Sequence, residues 1–221
     1  MFDITKLALK LPNFLTNEEC DRLINEFEER KNESCREYST NAETNVTELS
    51  NFRVVGLNPY TENFNLVKEK TKLAVNSYLE YLDYPKYFFT EGLKNSLKYS
   101  HAYRIMKYEV GASIHPHVDY DTYTYGSVTF NLNEDYEGGE FKFFNGNHTI
   151  NLQKGDALIF PANFFWVHEV TNVTKGNRYS INSFLKSIPD QSSSLIKYME
   201  NIIGKDHIEN TPPEELLGPY N

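Results

Sequence analysis

The chain has little cysteine and no long apolar run, and both features narrow its class. Two cysteines, Cys20 and Cys35, occur in 221 residues, and they do not have the Cys-x-x-Cys spacing of redox and zinc sites. No stretch of about 18 apolar residues is present, so we expect no membrane-spanning helix. The first residues lack the basic start and apolar run of a secretory signal. We therefore expect a cytoplasmic protein with reduced cysteines.

Positive charge is also scarce. The chain has 22 Lys and Arg against 31 Asp and Glu, which gives a formal net charge of −9. Because surfaces that bind a nucleic-acid backbone need clustered Lys and Arg, nucleic acid is not an expected partner. Apolar residues make up 39% of the chain, which is ordinary for a globular protein. At this length, the composition predicts a single domain with one sizeable core.

The first part of the chain has helical patterns. Thr16 and Glu19 form a capping-box signature before an amphipathic stretch, which predicts a helix over residues 17–31. A second apolar face at helical spacing predicts a long helix from about 61 to 82. Residues 32–50 are polar and lack apolar periodicity, so we expect a surface loop there, of the kind that often covers an active site.

Short β-branched or aromatic segments, separated by Gly, Asn, Asp or Pro, fill the middle of the chain. They lie near residues 101–110, 114–119, 125–132, 140–144, 148–152, 156–160, 164–170 and 178–186. Such spacing is typical of a β-sandwich or jelly roll. A tail helix is predicted at about 195–203. The predicted class is α+β, with a helical part over 1–97, a jelly-roll core over 98–188 and a helical tail over 189–221.

Two histidines and an aspartate form the most informative pattern. His117 and Asp119 alternate along a predicted strand, so both side chains point to one face. His168 lies on a distant predicted strand. Two imidazoles and one carboxylate leave open positions on a metal, which suits non-haem Fe(II) oxygen chemistry. His115 shares the alternation of His117 and competes with it, but that pair omits the carboxylate, so we predict that His115 lies at the rim of the site.

Four motifs in order carry a resemblance to a known family. They are Tyr108-x-x-Gly111 followed by His117-x-Asp119, Asp135-Tyr-Glu-Gly-Gly-Glu140, Lys154-Gly-Asp-Ala-Leu-Ile-Phe-Pro161, and His168-x-Val-Thr-x-Val-Thr-x-Gly-x-Arg178. Together they resemble the Fe(II)- and 2-oxoglutarate-dependent dioxygenases of the prolyl 4-hydroxylase type. The last three motifs are especially similar to the bacterial, iron-regulated hydroxylases of that superfamily. The resemblance covers about residues 108–186 well and the first helix weakly.

The resemblance implies a double-stranded β-helix and an assignment for each member of the pattern. His117, Asp119 and His168 would bind Fe(II), and Arg178 would bind the distal carboxylate of 2-oxoglutarate. A guanidinium has a planar fork that matches a carboxylate with two hydrogen bonds. A structural salt bridge is the alternative interpretation of Arg178.

Three further residues are implied as contacts of the cosubstrate. Tyr108 matches a tyrosine whose hydroxyl holds 2-oxoglutarate, and Ser180 matches the serine of an Arg-x-Ser pair. Asn131 stands where the prolyl hydroxylases usually have tyrosine, and its amide would still donate to a carboxylate. Thr124 replaces a frequent arginine, which weakens any inference about the substrate that depends on that arginine.

The implied reaction is hydroxylation of an unactivated C–H bond with Fe(II), 2-oxoglutarate and dioxygen, and ascorbate is a further candidate cofactor. By resemblance, the substrate would be a prolyl residue of a peptide or protein, with residues 32–50 as a clamp. The same chemistry on a free amino acid or another small molecule is the first alternative. A cupin-like metal protein and an inactive binding module are others, but neither needs Arg178. The sequence does not indicate the oligomeric state.

Overall fold

The computed structural model describes residues 3–83, 89–119 and 123–187. The three α-helices are α1 (Asn17–Glu29), α2 (Glu62–Asp83) and α3 (Thr90–Ser96), and short 3-10 helices span Ile4–Leu7 and Lys31–Glu33. No helix in these ranges is long and apolar enough to cross a membrane. The predicted tail helix at 195–203, and the whole predicted tail over 189–221, lie outside the described residues.

Both predicted long helices are present. The Thr16 hydroxyl accepts a hydrogen bond from the Glu19 amide while the Glu19 carboxylate accepts one from the Thr16 amide, so the predicted capping box begins α1. The buried face of α1 consists of Cys20, Leu23 and Phe27, at the spacing of one helix face. The predicted helix over 61–82 corresponds to α2, whereas α3 was not predicted.

The described residues contain fourteen strands, numbered in chain order. They are β1 (Leu9–Leu11), β2 (Tyr38–Thr40), β3 (Thr47–Leu49), β4 (Arg53–Gly56), β5 (Tyr99–Tyr108), β6 (Ile114–His117), β7 (Thr124–Asn131), β8 (Glu137–Gly138), β9 (Phe141–Phe143), β10 (His148–Ile150), β11 (Ala157–Pro161), β12 (His168–Val170), β13 (Val173–Lys175) and β14 (Arg178–Lys186). All eight predicted segments contain a strand. Five strands were not predicted, namely β1, β2, β3, β8 and β13.

Two antiparallel sheets form the core. The larger sheet has the order β1-β11-β7-β14-β5-β4, and the smaller has the order β10-β9-β12-β6. One apolar cluster packs the helices against the larger sheet, and a second cluster lies mainly between the two sheets. This arrangement is a double-stranded β-helix with helices on its outer face, so the predicted fold class is confirmed.

Alternation along the central strands separates the helix side of the larger sheet from its inner side. On β14, Tyr179, Ile181 and Leu185 pack in the cluster beneath the helices. The intervening side chains, which include Arg178 and Ser180, line a cavity on the other face. Because side chains of a strand alternate between faces, β14 supplies the apolar core with one set and the site with the other.

The predicted loop over 32–50 contains a hairpin instead. Strands β2 and β3 pair from Tyr38 with Leu49 to Thr40 with Thr47. The Ala42 amide near its tip donates to the Pro116 carbonyl at 2.7 Å. The hairpin is held by backbone hydrogen bonds, both within it and to β6. Backbone hydrogen bonds require no apolar periodicity in the local sequence. The polar composition therefore concealed ordered structure.

Gly155 is required where the turn before β11 meets the start of α1. Its φ is +84°, and a Cβ atom would lie 2.4 Å from the Leu15 carbonyl oxygen. We expect Gly155→Ala to lower the free energy of unfolding by about 2–4 kcal/mol, since both the backbone conformation and the contact become strained. Thermal denaturation measures this. Gly56→Ala is the matched control, since no atom lies within 4 Å of the added Cβ; equal losses in both variants would contradict the prediction.

Candidate metal centre

A cavity of about 550 Å³ lies inside the double-stranded β-helix and is covered in part by the hairpin. Its walls include inward side chains of β5, β7 and β14 from the larger sheet, and residues of β6, β9 and β12 from the smaller one. Residues 37–42 and Asn45 of the hairpin region line its outer part. The cavity therefore has an inner end within the β-helix and an outer end beneath the hairpin.

The structure brings His117, Asp119 and His168 together in this cavity. Their candidate ligand atoms all lie within 4.8 Å of one another. Pairing of β12 with β6 places His168 directly opposite His117, and Asp119 follows just beyond the end of β6. The Asp119 carboxylate lies between the two rings, with Oδ1 3.4 Å from His117 Nε2 and Oδ2 3.5 Å from His168 Nε2. Among the described residues, these three side chains form the one group of three or more His, Cys, Asp or Glu residues that could hold a metal ion.

Each imidazole is oriented by its own strand. Nδ1 of His117 lies 2.9 Å from the carbonyl oxygen of His115, and Nδ1 of His168 lies 3.0 Å from that of Trp166. A carbonyl only accepts, so both Nδ1 atoms carry the proton. The lone pairs of both Nε2 atoms are then directed toward Asp119, as metal-binding histidines require.

The charge state of the group suits a divalent cation. Burial lowers the pKa of His168 to about 4, so its imidazole is neutral near pH 7. Burial alone would raise the pKa of Asp119, but the two imidazoles and a 2.7 Å hydrogen bond from Ser127 outweigh it and hold that pKa below its usual range. Two imidazoles and one carboxylate, facing one cavity, fit the ligand set of non-haem Fe(II) sites.

Arg178 is a buried cation in the same cavity. Its side chain is 2% exposed, and Nη1 donates to the Ser180 hydroxyl at 3.1 Å. Its guanidinium carbon lies 5.2 Å from the centre of the Tyr108 ring, and its Nε has no hydrogen-bond partner. No carboxylate in the described ranges forms an ion pair with it, which disfavours the salt-bridge alternative. A buried charge without a partner is costly, so the cavity requires an anion at this end.

Tyr108 and Ser180 lie beside Arg178 in the cavity. Burial raises the pKa of Tyr108 to about 12, so its hydroxyl remains protonated and can donate. Within the described residues its only hydrogen-bond partner is the Met106 sulfur, at 3.8 Å, and sulfur is a weak acceptor. The Tyr108 hydroxyl is therefore suited to a ligand.

Asn131 differs from the expectation. Its side chain is buried outside the cavity lining, and its Nδ2 donates to the carbonyl of Asn133 at 2.7 Å and approaches those of Leu152 and Gln153. Its Oδ1 accepts a hydrogen bond from Tyr136. Because these contacts occupy the amide, Asn131 holds together the backbone around the cavity and is not placed to donate to a cosubstrate.

Three other residues near the metal candidates, His115, Trp166 and Thr124, lie in different surroundings. His115 lines a neighbouring groove of about 310 Å³ between the hairpin and β6, so it lies near the metal candidates but not among them. Trp166 is 2% exposed and packs edge-on against Phe143 at 5.5 Å, which makes it a core residue. Thr124 does line the outer cavity.

Sequence reasoning missed a charged pair in the cavity wall. Arg104 on β5 and Glu37 before β2 form an ion pair and both line the cavity. The signal for Arg104 was its alternation with Met106 and Tyr108 on the same strand. No local pattern indicated Glu37, because its partner is 67 residues away in the chain.

Comparisons with known proteins find similarity over part of the chain. The profile of the 2OG-Fe(II) oxygenase superfamily matches residues 103–186. Mouse procollagen-lysine,2-oxoglutarate 5-dioxygenase 1 is 38% identical over 74 residues, 33% of this chain and 10% of that protein. A PKHD-type hydroxylase of Nitrosomonas europaea is 33% identical over 95 residues, 40% of this chain and 41% of that protein. The chain thus spans only a tenth of the length of the procollagen-lysine relatives.

Solved structures show the same fold at low sequence identity. A viral collagen prolyl hydroxylase from Paramecium bursaria Chlorella virus-1 superposes with a TM-score of 0.58 and 17% identity, covering 83% of this chain and 97% of that chain. A Trichoplax adhaerens prolyl hydroxylase, in complex with a hypoxia inducible factor peptide fragment, gives 0.60 and 16% identity, with 83% and 84% covered. These similarities establish the fold independently of the motifs.

Proposed function

We propose, from the premise that residues 103–186 belong to the 2OG-Fe(II) oxygenase superfamily, that the protein is a 2-oxoglutarate-dependent dioxygenase that hydroxylates an unactivated C–H bond. The observation that carries this proposal is the unpaired, buried Arg178 in the same cavity as the His117, Asp119 and His168 group. A cupin-like metal protein would have no use for a buried cation there.

The chain's own residues would perform three tasks: they would bind the metal, bind 2-oxoglutarate and exclude water. His117, Asp119 and His168 would hold Fe(II), and Arg178 with Tyr108 would hold 2-oxoglutarate by its distal carboxylate. Bound iron and 2-oxoglutarate supply the activation of dioxygen and the electrons for it, with release of succinate and carbon dioxide. The protein positions these groups and excludes water from them.

Aromatic residues provide that exclusion. The Phe141 ring stacks on His168 with centroids 5.3 Å apart, and the Phe160 ring meets it edge-on at 4.9 Å. Both phenylalanines are buried. Their rings pack against the His168 imidazole, which is only 4% exposed, and so keep water from it.

A prolyl residue of a peptide or protein is the substrate we propose. Support comes from the structural neighbours, which are named as prolyl hydroxylases, one of them in complex with a peptide. Among the described residues, β2 and β3 of the hairpin pair only with each other in a two-stranded sheet, to whose edge an extended peptide could add. We propose that the hairpin acts as the clamp predicted for residues 32–50.

Ascorbate is the reductant we propose, and the cytoplasm is the proposed location of the protein.

An anaerobic titration tests the activity directly. We expect a visible metal-to-ligand band when 2-oxoglutarate is added to the protein with Fe(II), and no band with either component alone. Folded protein that binds iron but gives no band would contradict the proposal. Succinate release with proline-containing peptides, compared with matched peptides in which alanine replaces proline, then tests the substrate.

A further inference from the structure

We infer that Arg104 binds a carboxylate of the substrate whose C–H bond is hydroxylated. This inference rests on the proposed function and adds a substrate chemistry to it. The carboxylate is either that of a free amino acid or one carried by a peptide, at its C-terminus or on a neighbouring acidic side chain.

The first observation is the unused edge of the Arg104 guanidinium. Both carboxylate oxygens of Glu37 approach the same nitrogen, Nη1, at 2.7 and 2.6 Å. Nε is buried and has no hydrogen-bond partner. A guanidinium has five N–H donors in a fixed plane, and Glu37 engages only one corner of it. The edge formed by Nε and Nη2, which matches a carboxylate with two parallel hydrogen bonds, is left for another acceptor.

The second observation is that Arg104 is held in place. Its guanidinium carbon lies 4.9 Å from the centre of the Phe184 ring, and Arg104 and Phe184 both line the cavity. Stacking on one face and Glu37 at one corner restrict the side chain, so little rotamer freedom remains to be lost when a ligand binds. A flexible surface arginine would lack this preorganisation.

Arg104 is distinct from the clamp for the cosubstrate. On the paired strands β14 and β5, Arg178 lies opposite Tyr108, whereas Arg104 lies opposite Asn182. Four residues along a strand correspond to about 13 Å. The Arg104 level is closer to that of Ser127, which contacts Asp119 and lies opposite Phe184. Arg178 and Arg104 therefore line one cavity at two levels, with Arg178 at the inner end and Arg104 nearer the level of Ser127.

The position also connects substrate binding to the hairpin. Glu37 directly precedes β2, and its amide donates to the Ser50 hydroxyl at 3.1 Å on the other side of the hairpin base. The ion pair with Arg104 therefore fixes the base of the hairpin against β5. A carboxylate bound to Arg104 would lie beneath the hairpin, where the outer part of the cavity receives the substrate.

A spectroscopic titration tests the contact without turnover. The probes form three pairs that differ in a carboxylate against an amide. They are free proline against prolinamide, proline-containing pentapeptides with Glu against Gln beside the proline, and such pentapeptides with a free against an amidated C-terminus. They are added to protein loaded with Zn(II) and 2-oxoglutarate, and the Nε–Hε nuclear magnetic resonance signal of Arg104 is followed, assigned by its loss in Arg104→Lys. We expect a shift with carboxylate-bearing probes and none with their amide partners. The responding pair identifies the source of the carboxylate.

Kinetics test the same residue by a second measurement. We expect Arg104→Met to raise KM for the responding probe about 10- to 100-fold, since a charge-assisted pair is lost, while the affinity for 2-oxoglutarate stays within about twofold. Arg104→Lys should recover only part of the loss, because it lacks the planar edge. Arg53→Met removes an arginine that bonds Ser34 outside the cavity and should leave KM unchanged.

Two outcomes overturn the inference. One is that no carboxylate probe shifts the Arg104 signal more than its amide partner does. The other is that Arg104→Met weakens 2-oxoglutarate binding as much as it raises KM, which would make Arg104 part of the cosubstrate site. Either result with the visible band of Fe(II) and 2-oxoglutarate intact would reject the inference and leave the proposed function standing.

Discussion

Replacement of Asp119 with asparagine is expected to lower turnover by at least about 1,000-fold and to remove stable Fe(II) binding. The outer partners of metal ligands typically contribute 10- to 100-fold, and loss of a ligand should exceed that. Asp119 is the one anionic member of the group, and its carboxylate lies between both imidazoles. A neutral amide is a poor ligand for Fe(II), and the site would retain only two imidazoles.

Iron stoichiometry after anaerobic desalting and succinate release measure the two effects. Asp21→Asn is the matched control, since the Asp21 side chain is 60% exposed and pairs with Lys154 on the surface. That variant should bind iron and turn over as the parent does. If Asp119→Asn retained full iron binding and activity, the carboxylate would not be a ligand.

Replacement of Arg178 with alanine is expected to weaken 2-oxoglutarate binding by about 100-fold or more while iron binding stays nearly intact. Two hydrogen bonds between a buried guanidinium and a carboxylate contribute about 1.5–3 kcal/mol each, and tenfold in affinity corresponds to about 1.4 kcal/mol. Arg178 does not touch the metal candidates through any described hydrogen bond, so the two functions should separate.

Titration of the visible band with 2-oxoglutarate measures the affinity in the Fe(II) protein. Arg22→Ala removes a half-buried arginine that pairs with Glu62 away from the cavity and serves as the control. Arg178→Lys keeps the charge and should bind 2-oxoglutarate with intermediate affinity. An equal loss of iron and 2-oxoglutarate binding in Arg178→Ala would assign Arg178 to the general integrity of the cavity.

The sequence predicted the parts of the site that depend on alternation within one strand. Arg178 and Ser180 share a face of β14, and both line the cavity. Alternation was less reliable for His115, which lies in the neighbouring groove although His117 faces the cavity. Strand β6 has only four residues, and the bulge in its pairing with β12 changes the direction of its side chains. Short irregular strands therefore limit this kind of prediction.

The parts that were missed depend on contacts between distant segments. Asn131 was assigned from a family position, but its amide binds carbonyls on the turn before β11, and that partner is set by the fold. Glu37 was hidden in a polar stretch, and only the pairing of β2 with β3 brings it to Arg104. Helices α1 and α2 were predicted well, because capping and apolar periodicity are local properties of the chain.

The two carbonyl contacts to the imidazoles have a consequence for metal selectivity. The carbonyl groups of His115 and Trp166 orient the rings, so the backbone directs both Nε2 atoms toward one position. A site of two nitrogens and one oxygen follows the general order of affinities for divalent metals, in which Co²⁺, Ni²⁺, Cu²⁺ and Zn²⁺ all bind more tightly than Fe²⁺. Occupation by iron would therefore be decided by the supply of metals around the protein.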